Sequence, residues 1–279
     1  MLGNELRKAR EDADLTQEQL SYAASIDRTY ISQLENNRKE AGGDVNENAG
    51  YCLTVSDHQH LVAQAEKVFD LVWRVDFTAP GFALLDIPPG TDSHTLRSWM
   101  VDLKQRMSEI GVHRGRGPFA YRSMARFDQQ VTTKFHLDGA PKQSMLILGY
   151  EPSKVESRLF LADYTRAAFD LGIEPSQFLT DFNPMYKKGE EHLGRYVTEL
   201  PQPTEGHARI LLINNSSLAF TEARTNSLGV MHKAIIATPD ESERRIVNST
   251  MLGVSGDDEI GREQQQVFIA TDEISKKNY

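Results

Sequence analysis

The second half of the chain alternates short apolar, β-branched runs with polar segments rich in turn residues, and this pattern most constrains the fold. Runs of this length, bounded by turn residues, predict β-strands rather than helices. Seven strands are predicted, at residues 119–135, 143–150, 157–163, 195–200, 208–214, 228–237 and 244–252. Many strands joined by loops of varied length predict a β-sandwich or barrel.

Helical periodicity precedes the strands and predicts helices packed on one side of them. Residues 58–74 and 93–110 carry apolar side chains at three- and four-residue intervals, which places those side chains on one helix face. Between them, residues 81–87 form an apolar run that ends at two prolines and a glycine, so we expect a buried strand there. One further short helix is predicted at about 175–182. The expected fold class is α+β.

Composition limits the partners of the chain. Hydrophobic residues make up 39% and charged residues 25% of the sequence, which is ordinary for a soluble globular protein. The formal net charge of -9 argues against a general affinity for nucleic acid or anionic membranes. Cys52 is the single cysteine, so neither an intrachain disulfide nor a thiolate metal cluster is expected. Because the sequence shows no signal peptide and no membrane-length apolar run, we expect a cytoplasmic protein.

The first 40 residues predict three short helices, at 4–13, 17–24 and roughly 28–37. Thr16 and Gln19 have the spacing of a capping box at the start of the second helix. Three short helices with a tight turn between the second and third are typical of a helix-turn-helix.

Residues 15–20 (Leu-Thr-Gln-Glu-Gln-Leu) and 26–35 (Ile-Asp-Arg-Thr-Tyr-Ile-Ser-Gln-Leu-Glu) resemble the Cro/repressor-type helix-turn-helix family. The resemblance implies a DNA-backbone contact and a groove-facing surface. The residues that would make these contacts are Gln17, for the backbone, and Arg28, Thr29 and Ser32, for the major groove.

The resemblance ends near residue 40, and residues 41–57 begin with a turn- and linker-like composition. Residues 1–40 hold six Lys and Arg against eight Asp and Glu, so this segment is not basic. Two interpretations stay open for residues 1–40: a unit that binds DNA, and a truncated or fused remnant.

Two separated fragments supply a set of side chains that suits a metal ion. His136-Leu137-Asp138 follows a β-branched run, and in an extended chain the side chains at i and i+2 project to the same side. His232 lies far downstream within an apolar predicted strand. Two imidazoles and one carboxylate are the ligands of a non-haem Fe(II) site that keeps open coordination positions.

This pattern resembles the Fe(II)- and 2-oxoglutarate-dependent dioxygenases, which combine His-x-Asp, a distal His and a later Arg or Lys. The resemblance implies a double-stranded β-helix (jelly-roll) core with flanking helices over residues 58–279. It also implies that His136, Asp138 and His232 bind Fe(II), and that 2-oxoglutarate and O2 are co-substrates for hydroxylation or demethylation of a further substrate.

The same resemblance implies a cationic anchor for the distal carboxylate of 2-oxoglutarate. Arg245 follows His232 by 13 residues (245 − 232), and the fork of a guanidinium suits a carboxylate. The Arg-x-Ser spacing usual in the family is not kept, because Val247 stands where the serine would be and Ser249 comes two residues later. Arg244 also competes for the role of anchor. Tyr150 and Tyr164 are expected on strands near the site, where either would hydrogen-bond the co-substrate.

The sequence thus predicts a partial helix-turn-helix at 1–40, a linker at 41–57 and a dioxygenase-like domain at 58–279. An alternative is a transcription regulator in which a cupin-like barrel senses a ligand and the helix-turn-helix binds DNA. A metal-free structural barrel is the third possibility. Arg245 separates the first two, because a sensor has no need of a carboxylate anchor at that interval from His232.

Overall fold

The computed structural model describes residues 8, 10–13, 15, 16, 19, 50–220, 228–254 and 260–275. The chain divides into two compact units, residues 1–46 and 47–279. The proposed DNA contacts lie outside the described residues; these are Gln17, Arg28, Thr29 and Ser32. Thr16 and Gln19 exchange the two hydrogen bonds of a capping box, at 2.8 and 3.1 Å, and this part of the sequence prediction is confirmed.

Residues 50–275 combine nine described strands with five described α-helices. In chain order the strands are β1 (Cys52–Thr54), β2 (Phe82–Asp86), β3 (Phe119–Asp128), β4 (Ser144–Tyr150), β5 (Ser157–Ala162), β6 (Val197–Glu199), β7 (Arg209–Asn214), β8 (Met231–Ile236) and β9 (Ile246–Val254). The helices are α1 (His58–Val72), α2 (Ser93–His113), α3 (Tyr164–Asp170), α4 (Pro175–Asp181) and α5 (Arg262–Ala270). The predicted α+β class is confirmed.

The strands form two sheets. One has six strands in the order β1-β2-β7-β4-β9-β3, and the other has three in the order β6-β5-β8. All pairings are antiparallel except that of β1 with β2. All six strands predicted from 143–150 to 244–252 match observed strands to within three residues at each end.

The predicted strand at 119–135 is wrong in its second half, because β3 ends at Asp128. The chain then leaves the six-stranded sheet and runs beside β8 of the other sheet. Thr133 N donates to Ala234 O at 2.9 Å, and His136 and His232 form an isolated antiparallel bridge. The hydroxyls of Thr132 and Thr133 accept two backbone N–H groups of β8, so side chains replace part of the strand ladder.

Alternation along the strands of the large sheet separates two apolar cores. On β7, Ile210 and Leu212 face a core shared with α1, α2 and α5, whereas Leu211 and Ile213 face a core shared with β5. Successive strand residues point to opposite faces, so the large sheet lies between the helices and the small sheet. A third core joins the small sheet to α3 and α4.

Helix starts follow the aspartates of the sequence. Asp57, Asp92 and Asp163 cap α1, α2 and α3 by accepting a backbone N–H of the first turn. The expectation that Tyr164 lies on a strand is wrong, because Asp163 starts a helix there. Helices α3 and α5 and strand β1 were not predicted. Among the described residues, no helix has the length and apolar character needed to cross a membrane.

Candidate metal centre

The folded chain brings His136, Asp138 and His232 together. One ligand atom from each of the three lies within 4.8 Å of the other two. The backbone bridge between His136 and His232 fixes this approach, and their ring centroids lie 4.2 Å apart. Ligand atoms about 2.0–2.2 Å from one ion lie at most about 4.4 Å apart, so small side-chain rotations would close the three residues on a metal.

The orientation of the His136 ring follows from its hydrogen bond to the backbone. Nδ1 lies 2.7 Å from the carbonyl oxygen of Lys134, and because a carbonyl only accepts, Nδ1 carries the proton. In the neutral ring the Nε2 lone pair then faces Asp138, with Oδ1 at 3.4 Å. A metal-ligating histidine usually donates its other N–H in this way. Nε2 of His136 and Oδ1 of Asp138 are then both acceptors, and two acceptor atoms this close favour a cation bound between them.

Asp138 is held through its own backbone by Asn215. The side-chain oxygen of Asn215 accepts the N–H of Asp138 at 2.9 Å, and its amide nitrogen donates to the Asp138 carbonyl at 3.0 Å. The same nitrogen donates to Ser144 Oγ at 3.1 Å. Asn215 and Ser144 are buried, so water does not compete for these bonds. Sequence reasoning missed Asn215; the signal available was a polar Asn-Asn-Ser-Ser run directly after a buried strand.

Two of the three side chains, His136 and Asp138, line a cavity of about 240 Å³. The His136 side chain is 19% exposed and that of Asp138 38%. Leu179, Met185 and Tyr186 form an apolar side of this cavity, and Tyr186 is 82% exposed. A small molecule would therefore reach the triad from solvent across an apolar and aromatic wall.

Arg245 lies in the interior, whereas Arg244 is exposed. Arg245 Nε donates to Ser157 Oγ at 2.9 Å, and Nη1 donates to the backbone and side-chain oxygens of Gln129. Its guanidinium stacks 5.1 Å from the ring centre of Tyr150. Burial lowers the pKa of Arg245 and raises that of the Tyr150 phenol. Tyr164, by contrast, donates its hydroxyl to the Ser216 carbonyl and is fully buried.

Arg245 lies at the opposite end of the small sheet from the triad. His232 on β8 is paired with Leu161 on β5. Ser157, which contacts Arg245, lies on β5 four residues before Leu161. Four strand residues span about 13 Å. Arg245 lines a second cavity, of about 620 Å³, whose lining shares no residue with that of the triad cavity.

Comparison with known proteins finds a family similarity for the N-terminal segment. A family model described as a helix-turn-helix domain matches residues 1–45. No curated protein matches the chain. Two solved structures of the iron and alpha-ketoglutarate-dependent endoperoxidase NvfI align with it. One is of a variant, with TM-score 0.35, 12% identity, and coverage of 69% of this chain and 84% of that chain. The other is of a different conformation, with TM-score 0.36, 13% identity, and coverage of 69% and 82%.

Proposed function

We propose that residues 58–279 form an Fe(II)- and 2-oxoglutarate-dependent oxygenase that hydroxylates or demethylates a small substrate. The observation that carries the proposal is the convergence of His136, Asp138 and His232 on one point. Two imidazole nitrogens and one carboxylate oxygen on adjacent strands suit a divalent first-row metal and leave coordination positions for other ligands.

The strand order supports a double-stranded β-helix. From β3 onward the chain passes from the large sheet to the segment beside β8, returns at β4, crosses to β5 and β6, returns at β7, crosses to β8 and returns at β9. Eight extended segments divided in this way between two packed sheets have the organisation of a jelly roll. The triad then lies where the segment after β3 meets β8.

The residues of the site have separable tasks in this proposal. His136, Asp138 and His232 would hold the metal, and Lys134 O and Asn215 would orient two of them. When bound, Fe(II) would allow O2 to oxidise both 2-oxoglutarate, to succinate and CO2, and a substrate C–H bond. Arg245, with Tyr150 stacked on it, would pair with the distal carboxylate of 2-oxoglutarate, a role that requires the co-substrate and the side chains at its two ends to bridge about 13 Å of strand. The apolar wall formed by Leu179, Met185 and Tyr186 would contact the substrate.

A ligand-sensing transcription regulator is the second candidate. The match of a helix-turn-helix domain to residues 1–45 favours it, because such a domain gives the chain a route to DNA. In this arrangement the 47–279 unit would bind a ligand at the triad without turning it over.

Reconstitution under anaerobic conditions tests the oxygenase. With Fe(II) and 2-oxoglutarate, we expect a weak visible charge-transfer band, followed by succinate formation on aeration. His136→Ala should abolish both, because it removes one of three metal ligands. His58→Ala is the matched control, since His58 also contacts an aspartate, Asp102, at 3.0 Å but belongs to no described triad. Wild-type protein that gives neither band nor succinate would contradict the oxygenase and favour the sensor.

A further inference from the structure

A loop beside the triad cavity presents an aromatic side chain to solvent. This rim loop, residues 183–188, follows α4, and Asn183, Met185 and Tyr186 within it line the 240 Å³ cavity. Tyr186 is 82% exposed, so most of the area of its ring is open to be covered by a bound molecule.

Hydrogen bonds fix the backbone of the rim loop. Asn183 O accepts the N–H of Tyr186 at 3.1 Å, and Asn183 Oδ1 accepts the N–H of Met185 at 3.1 Å. The loop ends at Gly189, where a Cβ would lie 1.5 Å from the carbonyl oxygen of Phe182, so the two ends of the loop pack directly on one another. The fold therefore sets the backbone position of Tyr186, and a bound molecule has only its side chain to order.

Charge around the cavity favours an uncharged ligand. Among the described residues that line it, Asp138 alone carries a carboxylate and none carries an ammonium or guanidinium group. An anion would meet Asp138 without a cation to pair with, and burying an unpaired charge is costly. A cation would approach two ammonium groups beside the lining. Lys134 Nζ donates to Met185 O at 3.3 Å, and Lys187 Nζ donates to Thr180 O.

Filling the metal centre as in the proposed function keeps this preference. The two positive charges of Fe(II) are outnumbered by three carboxylates, one from Asp138 and two from 2-oxoglutarate. The filled centre is then formally negative and repels an anionic substrate.

The size and the walls of the cavity favour a small ring system. A volume of about 240 Å³ corresponds to about eight water molecules in the liquid, which is room for one or two fused rings. Leu137, Leu179 and Met185 supply apolar walls. Tyr186 adds an aromatic face, and a ring that packs offset or edge-on against such a face gains more than the burial of its area alone.

We propose that Tyr186 is a specificity-determining residue of this site and selects an uncharged aromatic molecule of one or two rings by stacking at the cavity mouth. The rest of that molecule would fill the cavity lined by His136 and Asp138. The inference rests on the proposed function only for the turnover of the molecule, because the stacking contact does not require the metal.

The test uses three naphthalene derivatives of different charge: 2-naphthol, 2-naphthoate and 2-naphthylmethylammonium. Fluorescence titration of the full-length, metal-free chain with 2-naphthol measures the stacking contact. Tyr186→Ala should weaken binding about three- to tenfold, whereas Tyr186→Phe, which keeps the ring, should stay within about twofold of the wild type. Phe169→Ala is the matched control, since Phe169 is an aromatic residue with 55% exposure that is not among the described lining residues.

Two further measurements locate the ligand and test its charge. In protein loaded with Mn(II), the ring protons of 2-naphthol should relax faster than in protein loaded with diamagnetic Zn(II), because the cavity adjoins the triad. With Zn(II) and 2-oxoglutarate both present, each charged derivative should bind at least about tenfold more weakly than 2-naphthol. Unliganded Tyr186→Ala should melt close to the wild-type midpoint, because substitutions at exposed positions change stability little.

Several outcomes would overturn the inference. These are failure of 2-naphthol to bind, equal affinities of wild type and Tyr186→Ala, an equal loss in Phe169→Ala, a charged derivative that binds as tightly as 2-naphthol, and a large fall in the midpoint of Tyr186→Ala. Unchanged relaxation in protein that holds Mn(II) at the triad would place the ring elsewhere and also overturn it. A chain that binds no metal and forms no succinate contradicts the oxygenase, and the titrations of metal-free protein still decide the role of Tyr186.

Discussion

Replacing Asn215 by Ala should loosen Asp138 and weaken metal binding without touching a ligand side chain. The substitution removes three hydrogen bonds, two to the Asp138 backbone and one to Ser144. At about 1 kcal/mol each, the loss is about 3 kcal/mol of stability. For a unit of this size that corresponds to a fall of about 6–12 °C in the melting midpoint.

Metal affinity should fall by a further, separate amount. Outer-sphere partners of ligands typically contribute a factor of about 10–100 in metal affinity, and Asn215 is the residue that fixes both backbone groups of Asp138. Competition with a chromophoric chelator, using Mn(II) or Fe(II) under anaerobic conditions, measures this factor. Urea unfolding of the metal-free protein measures the stability loss on its own.

Asn214→Ala provides the matched control for Asn215→Ala. Asn214 is equally buried, and its side chain donates to Val72 O and accepts the N–H of Ser216. Its loss should lower stability by about 2 kcal/mol and leave metal affinity nearly unchanged. If both variants lose metal affinity equally, or if Asn215→Ala is destabilised while it binds metal as tightly as wild type, Asn215 does not position Asp138.

Two further predictions concern stability. Burial alone would raise the pKa of Glu151, but the hydrogen bonds from Ser93, Asn248 and Arg126 outweigh it and the pKa is lowered. The stabilisation is therefore complete above about pH 4.3 and is lost as the pH falls through the folded-state value. Glu151→Gln should lower the free energy of unfolding at pH 7 by about 1.5–3 kcal/mol. It should also reduce the fall of the urea midpoint of unfolding at acidic pH, and an unchanged fall would refute this. Gly229→Ala should destabilise by about 3 kcal/mol, because its Cβ would lie 2.0 Å from the carbonyl oxygen of Ser216. Gly139→Ala, with no atom within 4 Å of its Cβ, should unfold at nearly the wild-type urea concentration, and equal loss in the two variants would argue against the clash.

The sequence determined the local elements wherever one physical signal dominated. Alternating apolar residues fixed most strands of both sheets, and the 3.6-residue period fixed α1 and α2, because the buried face of each element is specified within the element itself. The pairing of a His-x-Asp fragment with a distant histidine was also visible in the sequence. The structure brings one ligand atom each of His136, Asp138 and His232 within 4.8 Å of one another, and their role as metal ligands stays a prediction.

Other features depended on contacts between distant parts of the chain. The β-branched run before His136 has the composition of a continuous strand. The chain nevertheless leaves β3 at Asp128, because the hydroxyls of Thr132 and Thr133 accept backbone N–H groups of β8, which belongs to the three-stranded sheet. At Asp163 the chain starts helix α3, because the Asp163 side chain caps it, although the apolar pattern of the preceding strand continues into the helix.

Asn215 was likewise invisible as part of the site. A single asparagine has no periodicity, and its partners Asp138 and Ser144 lie more than 50 residues away. The sequence by itself therefore determined most of the strands and the two long helices, and it indicated three side chains that suit a metal. Only the tertiary structure decided which groups orient these side chains, because hydrogen bonding and desolvation depend on groups that the fold alone brings together.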